Sequence, residues 1–158
     1  MTQSAVPAAL DAVAFLLGEW RGAGRGHYPT ISDFTYEEEV RFWHTGKPFL
    51  VYTQRTWGPD GTPLHSETGY WRPQDDGRVE IVLAHPMGIT EIQEGVVEGR
   101  RIRARSTSMS ATPTAKEILS VSRTYEFDGE VLSYRLGMAA VGQPHQGHLE
   151  GALRRSGA

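Results

Sequence analysis

From Gly18 onward, apolar and polar residues alternate in short runs instead of recurring every three or four positions. Val79, Ile81 and Leu83 share one side of such a run, and Leu132, Tyr134, Leu136 and Met138 share one side of another. A period of two sends successive side chains to opposite faces of a strand. The runs are rich in Val, Ile, Tyr, Thr, Phe and Trp, which suit a pleated, half-buried surface. Asp60-Gly61, Asp76-Gly77, Glu98-Gly99 and Asp128-Gly129 separate successive runs, each offering a glycine where a tight hairpin needs positive φ. The pattern predicts ten antiparallel strands near 18–26, 34–45, 48–57, 64–73, 78–84, 89–97, 101–107, 117–127, 131–140 and 147–155. One stretch differs: Leu10, Val13, Ala14 and Leu17 recur at helical spacing and predict a short amphipathic helix. It is too short to persist alone and is expected to lie against the strands as a plug. The polar, Pro-containing segment 106–115 (STSMSATPTA) predicts a surface loop at one end.

A ten-strand meander with no helical second layer must close on itself or expose its edges, so the expected fold is an all-β, up-and-down barrel forming one domain over 1–158. A barrel of this size has an interior wider than side chains fill, which implies a ligand cavity. Composition narrows the chemistry. The absence of cysteine excludes thiolate zinc sites, iron–sulfur clusters and thiol nucleophiles. A net charge of −3 argues against nucleic acid as a partner. Arg101, Arg103 and Arg105 alternate and are expected on a solvated outer face. Residues 1–7 hold neither a basic n-region nor an apolar run long enough for a signal peptide or membrane span, so a cytoplasmic location is expected. No Gly-x-Ser-x-Gly is present to suggest a serine hydrolase.

The cluster Gly22-Ala23-Gly24-Arg25-Gly26 has the wrong surroundings for a dinucleotide loop, because Tyr28-Pro29 follows it and no helix does. Joined to the preceding residues it reads Gly18-Glu19-Trp20-Arg21-Gly22-Ala23-Gly24. A Gly-x-Trp opening the first strand resembles lipocalin and fatty-acid-binding barrels, where the Trp packs across the base near a basic residue of the last strand. Arg154 or Arg155 would take that part here. The fuller motif Gly18, Trp20, Gly22, Gly24 followed by Tyr28-Pro29-Thr30 resembles the nitrobindin family. The stretches at 34–38, 46–50, 64–70 and 88–91 and the final strand from His148 to Arg155 extend that resemblance over 10–155.

The resemblance implies a barrel related to the fatty-acid-binding fold, holding ferric haem b at its open end. It further implies nitric oxide binding and isomerisation of peroxynitrite to nitrate. His148 matches the proximal iron ligand, Lys116 a lysine at the haem edge, and Thr30 a residue beside the pocket. His65 matches a second histidine across the cavity, although a polar residue bonded to a neighbouring strand is an equal reading. The residues alone say less. His148 is by itself a buried or half-buried strand histidine, on one face with Glu150 and Ala152 by simple alternation, where Glu150 requires either a place near the mouth in water or a local bulge that changes the alternation. His145 and His148, three apart on a strand, point to opposite sides. His27, His44 and His85 stand beside turn-like residues and carry no expected role. A haem-based sensor or carrier of nitric oxide and a haem-free carrier of an apolar molecule remain alternatives to the isomerase. Nothing in the pattern decides between a monomer and a homodimer.

Overall fold

A computed structural model describes residues 4–156; the first three residues of the segment read for a signal peptide lie outside them. Ten strands follow one helix: β1 (Gly18–Tyr28), β2 (Ile31–Trp43), β3 (Leu50–Trp57), β4 (Pro63–Pro73), β5 (Arg78–His85), β6 (Ile89–Glu98), β7 (Arg101–Ala111), β8 (Ile118–Phe127), β9 (Val131–Ala140) and β10 (Gln146–Arg155). Each pairs antiparallel with its chain neighbour, and β1 pairs with β10 to close the barrel. The hairpin glycines explain the turns: Gly77 and Gly129 adopt φ of 82° and 105°, where a side chain would be strained. Arg101, Arg103 and Arg105 are exposed while Ile102 and Ala104 between them are buried, as the alternation requires. Among the described residues no helix is long and apolar enough to cross a membrane.

The helix differs from expectation. Ala8–Leu16 is a 3-10 helix that buries Leu10, Val13 and Leu16, a spacing of three that matches three residues per turn. Ala14 and Leu17, assigned to its buried stripe by a 3.6-residue period, are only half-buried. It plugs the base of the barrel. There Trp20 donates from Nε1 to the Leu16 carbonyl at 2.8 Å and meets Phe127 edge-on at 5.5 Å. Arg155 lies 4.4 Å above the Trp20 ring and donates to the Phe15 carbonyl, so it, and not Arg154, is the basic partner from the last strand.

The segment 106–115 is also partly corrected, because β7 continues to Ala111. Its far half pairs only with β6, through Glu91↔Met109 and Ile89↔Ala111, whereas pairing with β8 stops at Arg105↔Ser122. One ladder suffices to hold a polar strand extended at the open end. The glycine motif is steric. A Cβ on Gly24 would fall 2.4 Å from the Tyr36 ring and one on Gly26 2.3 Å from the Phe34 ring, so these aromatic side chains can lie flat across β1.

Candidate functional site

The end opposite the plug opens into a cavity of about 720 Å³. Its upper walls are apolar, with Ile31, Phe34, Ile118, Met138 and Leu149 among them. His148 stands in this wall because β10 bulges. Gly147 pairs with Gly137 and Leu149 with Leu136, leaving His148 as the extra residue between them. Such an insertion resets the alternation. His148 and Leu149 both line the cavity, while Glu150 and Ala152 turn outward, where Glu150 pairs with Arg25. Simple alternation, which would put Glu150 and Ala152 on the His148 face, therefore does not hold, and of the two readings open for Glu150, a place in water at the mouth or a local bulge, the bulge is present.

The ring of His148 is held on several sides. Its Nδ1 donates to the His27 carbonyl at 2.9 Å, Tyr28 meets it edge-on at 5.2 Å, and Phe34 lies 6.3 Å away. Tyr28 is itself anchored by the Ala140 amide at 2.9 Å. Burial, the largest influence, lowers the His148 pKa, and the neighbouring His27 and His65 act in the same direction against the His27 carbonyl. The imidazole is thus kept neutral, with Nε2 left as the nitrogen able to bind a ligand.

Below this apolar storey lies a polar one. Arg123 donates from Nε to Glu91 at 3.0 Å and from Nη1 to Glu67 at 2.8 Å, all three side chains being buried. Tyr52 adds a bond to Glu67 at 3.0 Å. Glu38 accepts from Tyr134 at 2.6 Å and from Gln54 at 2.8 Å. His85, assigned no role from its turn-like surroundings, belongs to this layer: its Nε2 donates to Glu91 at 2.9 Å and its Nδ1 faces His65 Nε2 at 3.3 Å. It continues the inward series Val79, Ile81, Leu83, which was the available signal. Glu67, Glu91 and Arg123 likewise stand in phase with buried neighbours on their strands.

The remaining sequence candidates separate by position. Lys116 is exposed at the cavity mouth, and His65 lines the cavity with Glu67 at 3.3 Å. Thr30 is exposed in the β1–β2 turn; its neighbour Ile31 lines the cavity and Thr30 does not. His145 lies outside, bonded to Ser120 and Ser122.

Residues 9–155 match the family described as "THAP4-like, heme-binding beta-barrel domain". The chain belongs to this family. Peroxynitrite isomerase 2 of Mycobacterium ulcerans is 54% identical over 151 residues, covering 92% of this chain and 94% of that protein. Peroxynitrite isomerase 1 of Mycobacterium tuberculosis is 52% identical over 163 residues, covering 98% and 99%. The crystal structure of Rv2717c from M. tuberculosis superposes with a TM-score of 0.90 at 52% identity, over 97% of this chain and 100% of that one. The nitrobindin resemblance and the barrel expected from it are borne out.

The cavity fits what a haem-binding family requires. Its volume lies within the roughly 300–1,000 Å³ usual for cofactor pockets, and its upper wall is apolar. His148 has its second nitrogen bonded to a backbone carbonyl, the arrangement that fixes tautomer and ring orientation in metal-binding histidines.

The polar layer also gives this heme-binding barrel a pH signature. Burial, offset in part by the Tyr134 and Gln54 hydrogen bonds, raises the Glu38 pKa from 4.5 to about 7. Glu38 therefore keeps its proton longer folded than unfolded. Its contribution to stability is complete below the unfolded value of 4.5, declines as pH rises, and is lost above about 7. Glu67 and Glu91 act oppositely: despite burial, Arg123 lowers both, joined by His65 and His85 at Glu67 and by His85 at Glu91, so their contribution is present above the usual carboxylate range and lost on acidification. Urea unfolding at about pH 5 and about pH 8 should show wild type losing on the order of 3 kcal/mol over that interval through Glu38. Glu38→Gln should flatten the slope, and an unchanged slope would assign it to another group.

Proposed function

We propose that this protein is a haem-dependent peroxynitrite isomerase acting in the cytoplasm, with ferric haem b held through Nε2 of His148. The supporting observation is the bulged His148, neutral, oriented by the His27 carbonyl and set in the apolar wall of the cavity. The names of the relatives at 52–54% identity, which cover nearly the whole chain, support the reaction. When bound, haem supplies an iron at which peroxynitrite is converted to nitrate and at which nitric oxide can also bind.

The chain's own part is binding, orientation and exclusion of water. His148 would hold the metal through Nε2, and burial, which lowers its pKa, favours the unprotonated lone pair this requires. Tyr28 and Phe34 limit rotation of its ring. Ile31, Met138 and Leu149, which line the cavity, would cover an apolar macrocycle, a contribution of roughly 25 cal/mol for each Å² removed from water. Lys116 at the mouth offers an ammonium to a propionate, an exposed pair worth about 1 kcal/mol or less. Thr30, exposed in the β1–β2 turn beside the cavity-lining Ile31, would act at the pocket only from outside its wall, and His65 would offer a polar group from within the cavity. No side chain is assigned as a general acid or base.

Mixing peroxynitrite with haem-loaded and haem-free protein in the presence of free tyrosine tests the reading. The loaded protein should raise the nitrate yield and protect tyrosine from nitration, and the haem-free protein should do neither. With no cysteine to consume the oxidant, protection cannot be thiol chemistry. Equal protection by both forms would leave carriage of nitric oxide or haem as the better account.

A further inference from the structure

Three lone-pair atoms converge in the polar layer beside the cavity. His65 Nε2 lies 3.3 Å from Glu67 Oε1 and 3.3 Å from His85 Nδ1, and His85 Nδ1 lies 4.0 Å from Glu67 Oε1. With both rings neutral, the protons available supply only long hydrogen bonds among these atoms. Glu91 is held by Arg123 as a carboxylate, so the 2.9 Å bond from His85 Nε2 places the His85 proton on that side. His85 Nδ1 is then a bare acceptor. With neutral rings, a single proton on His65 Nε2 would have to serve both His85 Nδ1 and Glu67 Oε1, each at the long distance of 3.3 Å. By contrast, two ligands about 2.1 Å from a tetrahedral metal ion stand about 3.4 Å apart.

The surrounding groups are arranged as they are around bound metals. The His85–Glu91 bond fixes tautomer and ring orientation, as a carboxylate does for a metal-bound histidine. Glu67 Oε2 is held by Arg123 Nη1 and Tyr52, which turns Oε1 toward the two rings, where Arg123 Nη2 reaches it only at 3.4 Å. Charge agrees: two buried carboxylates face one guanidinium, leaving a net negative charge for a cation to offset. Access is available, since His65 is partly exposed and all three groups line the cavity.

We propose that His65, Glu67 and His85 form a second metal site, separate from His148, for a first-row divalent cation such as zinc. Two imidazoles and one carboxylate leave the fourth position to a water or small anion from the cavity. The site does not depend on the haem reading, because none of its three ligands is His148.

Calorimetric titration of the full chain with zinc, with and without haem, should give one ion per chain and a raised melting temperature. Cobalt in the haem-free chain should show the intense visible bands of tetrahedral coordination. His65→Ala is the preferred variant, since a side chain 27% exposed can be removed without stranding a buried charge. It should weaken zinc binding by at least the roughly 10–100-fold that losing a mere orienting partner costs, and His85→Ala should do the same. His148→Ala should bind zinc as wild type does. The proposal is overturned by absence of stoichiometric uptake, by His65→Ala binding unchanged, or by an equal loss in His148→Ala, which would put the ion on the haem ligand.

Discussion

Replacing His148 by alanine is expected to abolish one-to-one haem uptake while the barrel still folds. His148 is the one protein bond proposed for iron, and the apolar side chains Ile31, Met138 and Leu149 that line the cavity would offer a flat ring only non-directional contacts. The fold should tolerate the change. The half-buried ring contributes one hydrogen bond, to the His27 carbonyl, whose loss costs about 1 kcal/mol. A Soret titration alongside circular dichroism should show an unaltered β spectrum and no saturable haem band at stoichiometric concentration. Tight uptake by the variant would move the ligand to His65, the other histidine ring with a partly open face in the cavity.

The largest expected loss of stability comes from Arg123→Leu. Arg123 neutralises Glu67 and Glu91, whose side chains are 4% and 0% exposed, and no other cationic Arg or Lys reaches either carboxylate among the described residues. Removing it strands two buried charges. Breaking such a pair costs about 3–5 kcal/mol, because the remaining ions have lost their water as well as their partner. Arg25 makes the contrasting case: its pair with Glu150 is exposed, and Arg25→Ala should cost about 1 kcal/mol or less. Urea unfolding of the two variants measures the difference. Adding Glu67→Gln and Glu91→Gln to Arg123→Leu should recover much of the loss, since hydrogen-bonding amides replace unpaired ions. A loss from Arg123→Leu no larger than that from Arg25→Ala would show the layer to be solvated rather than buried.

Strand order and closure were legible because period-two runs and acidic-Gly turns are local signals. Asp76-Gly77 between Pro73 and Arg78 marks a hairpin whatever surrounds it. The helix was placed correctly but given the wrong period, since Leu16 and Leu17 offer either spacing and contact with the barrel base selects Leu16. His148 was reached through family motifs, and the bulge beside it was legible only as one of two readings of Glu150, because a bulge sets no period of its own. The visible clue was the conflict it resolves, Glu150 on an apolar wall. The polar layer was missed for another reason. Glu67, Glu91, Arg123 and His85 come from four strands, and each looks anomalous only beside its own buried neighbours. Their pairing is set by barrel closure, which brings residues as distant as Glu67 and Arg123 within 2.8 Å.

The central claim is that peroxynitrite is isomerised at a metal held by His148. Stopped-flow decay of peroxynitrite, followed against protein concentration, tests it most directly. With haem-loaded wild type the rate should rise linearly with holoprotein and fall to the uncatalysed value when cyanide occupies the iron. His148→Ala supplied with the same haem should leave only the rate of free haem, whereas haem-loaded His65→Ala should retain most of the activity. Wild type decaying peroxynitrite no faster than free haem, or His148→Ala matching wild type, would contradict the account.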